Sequence, residues 1–419
     1  MKSMSPIWHP FTQHAVQPES ALISRGEGAW LEAADGRRIF DAISSWWVVT
    51  HGHCHPHIVQ AIKSQVERLD QVIFAGFTHE PAEELARHLI AITPPELEYV
   101  FFSDSGSTSV EVALKMALGF WRHRGENRSR ILALEGAYHG DTIGGMSVGA
   151  RGVFNAPYGP LLFDVDRVPF PSAGREQATL DALNTACRNG GVAALIVEPL
   201  ILGAGGMLIY PPWVLAEMKR ICQTHGALFI ADEVMTGWGR TGTLFACEQA
   251  GVTPDIGCYS KGLTGGSLPL AVTLCRADIF EAHYSTDRTR TFFHSSSYTA
   301  NPIACAAAVA NLEIWKSEPV MERIARVTAL QSERLDRFRD DRRFANVRQI
   351  GTIAALDIVA GDAGYMANIG PHLYQSFRGR DLLVRPLGNT IYVMPPYCSG
   401  SSELNLVYEA IGEIVDGIG

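Results

Sequence analysis

Residues 99–121 read YVFFSDSGSTSVEVALKMALGFW, and how they fold decides the architecture. The first five are apolar and aromatic, the pattern of a strand buried on both faces. Ser105, Gly106 and Ser107 make a turn, after which Val110, Ala113, Leu114, Ala117, Leu118 and Trp121 recur at helical spacing. A strand that turns directly into an amphipathic helix is the repeating unit of a parallel α/β sheet. Such a corner aims backbone N–H groups and the positive end of the helix dipole at one spot, as a phosphate cradle does. It equally suits an ordinary capped helix, since serine is a favoured N-cap.

The alternation continues downstream. ILALE (131–135), AALIVEP (193–199), ALFIADE (227–233), DIGCYS (255–260) and LAVTLC (270–275) read as buried strands. Helices are predicted over about 212–224 and from Pro302 to Trp315. After residue 318, PVMERIARVTALQSERLDRFRDDRR predicts a charged amphipathic helix, followed by short strands in AALDIV and TIYVMPP. The expected organisation is a large domain over 56–318 and a smaller α+β domain over 319–419, joined by an N-terminal segment, 1–55.

With 419 residues, 47% of them hydrophobic, the chain can bury the core of such a pair. A net charge of -9 and the lack of a basic run exclude nucleic acid as an expected partner. No stretch approaches the roughly 20 apolar residues of a membrane span, and MKSMSPIWHPFTQH lacks the apolar centre of a secretory signal. The eight cysteines are scattered without CxxC spacing, the usage of reduced thiols in a cytoplasmic protein.

SSWWVVTHGHCHPH (44–57) raises the question of a metal, with His51, His53, Cys54, His55 and His57 so close together. On an extended chain the four histidines point to one side in a row too linear to enclose tetrahedral zinc, with Cys54 opposite. No metal is expected; the stretch reads as a turn into the helix PHIVQAIKSQVERL.

The chemistry lies elsewhere. In ALFIADEVMTGWGRTG (227–242), Asp232 and Glu233 stand at the carboxyl end of a strand, and in PDIGCYSKGLTGG (254–266) Lys261 stands just past another. Ligands of open α/β sheets sit at strand carboxyl ends, although such a pair also suits a structural ion bridge. EGAYHGDTIGGMSVG (135–149) presents Tyr138, His139 and Asp141 at a third strand end. Tyr138 suits either a core position or a plane for a ring to stack on, and His139 suits a structural hydrogen bond. Cradle, aromatic plane, aspartate and lysine, in that order, are the parts pyridoxal phosphate requires. Its aldehyde needs an amine and its pyridine nitrogen an acidic partner. A nucleotide-dependent oxidoreductase is disfavoured, because no GxGxxG fingerprint follows a first strand.

Over nearly its whole length the chain resembles the class III aminotransferases, pyridoxal-phosphate enzymes of fold type I. The resemblance is carried by WHPFTQ (8–13), SSWWVVTHGH (44–53), FSDSGSTSVEVALKMAL (102–118), AYHGDTIGGMSVG (137–149) and EPLILGAGGM (198–207). ADEVMTGWGRTG (231–242), SKGLTGG (260–266), TFFHSSSYTANPIACAAA (291–308) and VRPLGNTIYVMPPY (384–397) extend it. The paired tryptophans and RPLGNTIYVMPPY are most similar to biotin-pathway members. The resemblance implies a large domain with a mostly parallel sheet beside a smaller α+β domain. It implies that Lys261 condenses with the cofactor and carries the proton, while Asp232 pairs with the pyridine nitrogen. Tyr138 would cover the ring, and Ser105, Gly106 and Ser107 bind the phosphate. Ser296 and Ser297 would reach that phosphate from a neighbouring subunit, making a homodimer with active sites at its interface. Phe11, Trp46, Tyr138, Asp141, Ser295 and Arg385 would meet the substrate, Arg385 through a carboxylate. The implied reaction is amination of 7-keto-8-aminopelargonic acid, with S-adenosylmethionine as expected donor and lysine as the alternative. Another ω-aminotransferase, acting on amines or ω-amino acids, is the competing reading. Departures fall near the pocket: Met235 replaces a common glutamine, Ala204 a common glutamate, Phe11 a frequent tyrosine and Ser295 a frequent glycine.

Overall fold

In the computed structural model, which describes residues 5–17 and 20–417, the apolar runs assemble into one seven-stranded sheet. In chain order its strands are β1 (Tyr99–Ser103), β2 (Arg130–Leu134), β3 (Asp166–Val168), β4 (Val192–Val197), β5 (Leu228–Asp232), β6 (Ile256–Tyr259) and β7 (Ala271–Cys275). They lie in the order β1-β7-β6-β5-β4-β2-β3. Only β7 is reversed, running antiparallel to both β1 and β6. All the other strands therefore open their carboxyl ends at one edge. Asp166–Val168 was not predicted: three residues, two of them charged, make no hydrophobic run.

Alternation along β4 explains why the sheet is covered on both faces. Leu195 and Val197 pack with Met218 and Ile221 of the helix Pro212–Thr224, while Ala194 and Ile196 pack with Val110 and Ala117 of the helix Gly106–His123. The predicted helix from Pro302 extends to Ser317. Among the described residues no helix is long and apolar enough to cross a membrane, and residues 1–4 of MKSMSPIWHPFTQH, read as lacking a secretory signal, lie outside them.

The two ends of the chain share a core. Ile23–Glu27, Trp30–Ala33 and Arg38–Asp41 pair antiparallel, and Leu382–Leu383 joins alongside Arg38–Asp41 in parallel. Ala29 and Phe40 pack with Leu335, Phe377 and Ile411. The predicted amphipathic helix, Val320–Arg339, buries Ile324, Val327, Leu335 and Phe338.

The histidine row is corrected in its geometry. Cys54 has φ 53, which breaks the extended run, so each ring finds its own partner, although His51 and His55 still stand edge-on at 6.1 Å. His53 meets Asp41 at 2.9 Å, His55 meets Glu318 at 3.2 Å, His57 meets Glu313 at 2.5 Å, and His51 meets Asn311 at 2.9 Å. Among the described residues no group of three or more His, Cys, Asp or Glu is placed to hold a metal.

Candidate active site

Strand ends place the charged groups. Asp232, the last residue of β5, is buried, and its Oδ2 meets His139 Nδ1 at 2.7 Å while its Oδ1 accepts the Val234 N–H at 3.1 Å. His139 comes from the turn after β2; its Nε2 is buried and has no partner among the described residues. Lys261 follows β6 and opens the short helix Lys261–Thr264 with φ 48. Among the described residues it makes no ion pair, so the bridge to Asp232 that the sequence allowed is not formed. Its Nζ lies 4.4 Å from the centroid of the Trp47 ring. Burial pushes the amine down to about 8, against the pull of Asp232 and Glu198 and with the help of the Arg240 cation.

The corner after β1 has both features that its sequence allowed. The Ser105 hydroxyl accepts the Thr108 N–H at 3.3 Å, and the Thr108 hydroxyl accepts the Ser105 N–H at 2.9 Å, a reciprocal cap. Ser105 thus serves its own helix and does not line the cavity, whereas Gly106 and Ser107 do. A Cβ on Gly106 would lie 2.6 Å from Val234 Cγ1, and one on Gly140, at φ 105, would overlap Ser107 Oγ. These glycines let the β2 and β5 turns close against the helix N-terminus.

A cavity of about 390 Å³ joins these groups. Phe11, Trp46, Tyr138, Asp141 and Arg385 all line it, together with Lys261 and Asp232. The Phe11 ring stands edge-on to Trp46 at 5.5 Å and to Phe154 at 5.8 Å. The Arg385 guanidinium lies 5.3 Å from the Trp46 ring and donates from Nη2 to the Phe11 carbonyl at 2.7 Å. Burial and the Asp141 carboxylate push the Tyr138 phenol well above its usual range, so it stays neutral.

Ser295, Ser296 and Ser297 stand outside the cavity of their own chain. Ser296 Oγ donates to Asp104, and the Ser297 carbonyl accepts from Gln71 Nε2 at 2.7 Å.

Among the lining residues that the sequence did not single out, Trp47 and Glu198 bear most on the charged groups. Trp47, next to Trp46 in the chain, is buried yet faces Lys261, with its Nε1 donating to the Tyr392 hydroxyl at 3.0 Å. Glu198 accepts the Tyr138 N–H at 2.9 Å and the Gly203 N–H at 2.9 Å, and burial pushes its carboxyl up to about 7. Its position at the end of a fully apolar strand was the available signal.

The donor set fits pyridoxal phosphate. It offers an amine near neutrality, a buried carboxylate braced by a histidine, an aromatic side chain, and a glycine-lined helix N-terminus for an anion.

The family model for class-III aminotransferases matches residues 11–415. The adenosylmethionine-8-amino-7-oxononanoate aminotransferase of Synechococcus elongatus is 47% identical, over 100% of both chains. The structure of the enzyme of that name from Methanocaldococcus jannaschii superposes with a TM-score of 0.94 at 32% identity, covering 98% of this chain and 97% of that one. An amine transaminase from an uncultivated Pseudomonas species, with pyridoxal phosphate bound, reaches 0.93 at 32% identity over 100% of both.

Proposed function

The chain belongs to the class-III aminotransferases, and from that premise we propose that it aminates 7-keto-8-aminopelargonic acid (8-amino-7-oxononanoate) in biotin biosynthesis, with S-adenosylmethionine as donor. It is a pyridoxal-phosphate-dependent transaminase. Fold does not choose the substrate, since both activities appear among neighbours of nearly equal TM-score. The observation that carries the reading is 47% identity, end to end, to a relative of that name. The cavity is compatible: apolar walls at Phe11 and Trp46 suit an aliphatic chain, and Arg385 suits a carboxylate at its end.

When bound, pyridoxal phosphate supplies an aldehyde that takes up amino groups and a protonated ring that withdraws electrons from the carbon losing its proton. Lys261 would hold the aldehyde end, Asp232 the ring nitrogen, Tyr138 a ring face, and Gly106 with Ser107 the phosphate. With its amine near 8, Lys261 is divided between charged and neutral forms at working pH. Its Nζ can therefore take the proton from the amine-bearing carbon of the donor and would pass it to the carbon that was the cofactor's aldehyde, the shift that leaves the amino group behind. His139 and the Val234 N–H prevent the Asp232 carboxylate from turning away. Trp47, whose ring lies 4.4 Å from Lys261 Nζ, shields that side of the amine from water.

The same reading makes the active unit a cytoplasmic homodimer. Ser295, Ser296 and Ser297 would complete the partner's site, which accords with their place outside their own cavity and with exposed Phe293 and Tyr298 beside them. It also divides the chain into a cofactor domain, 56–318, and a smaller domain built from 1–55 and 319–419, supported by the sheet and core that the two ends share.

A half-reaction test decides the donor. The loaded protein is mixed with S-adenosylmethionine, lysine or a simple amine, without acceptor, and the visible absorbance of the cofactor is followed. Loss with S-adenosylmethionine, reversed by 7-keto-8-aminopelargonic acid, is the expected result. Loss with lysine alone transfers the donor role to lysine. Loss with simple amines alone, reversed by ordinary ketones, establishes the amine-transaminase reading that the Pseudomonas likeness favours.

A further inference from the structure

The helix Pro302–Ser317 buries alanine, valine, leucine, isoleucine and cysteine, and among them one amide, Asn311. Its Nδ2 donates to the carbonyls of Gly262 at 3.1 Å and Leu263 at 3.0 Å, and its Oδ1 meets His51 Nε2 at 2.9 Å. Carbonyls only accept, so the nitrogen of the amide must face them. The oxygen therefore faces His51, and Nε2 is the ring nitrogen that carries the proton. His51 Nδ1 is then a bare acceptor, buried and without a partner among the described residues. A proton there would meet no acceptor, and burial pushes the imidazole down to about 4. His55, Glu318 and Arg323 are the charged or titratable groups that act on it, and the rings of Trp315 and Tyr397 stand edge-on to it. The His51–Asn311 pair thus holds one protonation state across the working range.

The two carbonyls that Asn311 grips belong to the residues directly after Lys261. Lys261 itself has φ 48, a strained conformation for a non-glycine residue that relaxes unless neighbours hold it. A buried amide in an apolar helix is likewise unfavourable unless all its hydrogen bonds are made.

We infer that Asn311, supported by His51, is a positioning residue for the reaction: by fixing the two peptides after Lys261 it sets the direction from which Nζ enters the cavity. The inference rests on Lys261 being the cofactor-binding lysine proposed above. It also gives the first histidine of HGHCHPH a task at the site without a metal.

The test compares Asn311→Leu, His51→Leu and His51→Gln with the wild type in four measurements. These are the rate at which apoprotein captures added pyridoxal phosphate, the pH midpoint of the bound cofactor's visible absorbance, apoprotein melting, and kcat against KM. Asn311→Leu is expected to slow capture and lower kcat by about tenfold, to move the midpoint by about half a pH unit, and to leave both KM values within about twofold. His51→Leu moves the same quantities less. His51→Gln returns a donor near the place of Nε2 and restores them to within about twofold. Variants that melt lower but keep wild-type capture, midpoint and kcat overturn the inference, leaving a purely structural pair. If Asn311→Leu does not fold, the histidine variants decide alone, and identical midpoints and kcat in both and in the wild type overturn it. Lys261→Ala run in parallel separates the two readings, since a cofactor band that persists there overturns the lysine assignment itself.

Discussion

Lys261 is the proposed base, and burial in the cavity makes its charge costly, lowering the amine from 10.5 to about 8. Linkage gives the sign. Between about pH 8 and 10.5 the unfolded chain holds a proton that the folded chain has released, so stability rises with pH through that window and the full cost remains below it. Apoprotein carrying Lys261→Met should therefore melt above the wild type at pH 7, by about 1–2 kcal/mol once screening by the open cavity is allowed for. Melting curves should converge above pH 10.5, and a gap that persists there would mean that packing, not charge, makes the difference. Asp232→Asn is the complementary case. The amide keeps the size and the fold, so cofactor absorbance should survive while kcat falls by about 100-fold or more; single-turnover kinetics check it. Lys261 and Asp232 were legible as residues because strand-end charges in an apolar run are conspicuous. Glu198 and Trp47 were not, because what recruits them is the direction their side chains take, and that is set by neighbours remote in sequence.

At the scale of elements, short-range pattern was a good guide wherever burial was complete. β1 and the helix Pro212–Thr224 have the predicted limits because an uninterrupted apolar run or a 3.6-residue stripe marks them locally. Asp166–Val168 and the N-terminal hairpin strands, such as ISRGE at Ile23–Glu27, carry no such mark and become strands only by pairing with a neighbour. The turns around the cavity depend on glycine for close approach. Gly140→Ala sets a Cβ against Ser107 at φ 105, and it should lower melting by about 1–3 kcal/mol and weaken cofactor capture with it. Gly412→Ala is the control: nothing lies within 4 Å of its Cβ in the helix Ser401–Asp416, so it should raise melting by up to about 1 kcal/mol and leave capture unchanged.

At the scale of the whole molecule, the proposed dimer makes a sharp prediction. Lys261→Ala protein and Ser296→Ala/Ser297→Ala protein, each impaired alone, should regain about a quarter of wild-type activity after co-refolding. Half of the dimers are then hybrids, and each hybrid has one intact site only if the serines serve the partner's lysine. No recovery would place those serines in their own subunit's structure instead. Sequence by itself determined that the chain is an α/β protein whose strand-end lysine, aspartate and glycine turns suit pyridoxal phosphate, since burial pattern and turn chemistry are written locally. Its expectation of no metal at residues 51–57 rested on a geometry the chain does not adopt. Only the tertiary structure decided that His51 supports Asn311 behind Lys261 and that Glu198 braces the Tyr138 turn. The reason is physical: each of these roles depends on a hydrogen bond's direction, and that direction is fixed only when segments as distant as residues 51, 262 and 311 are packed against one another.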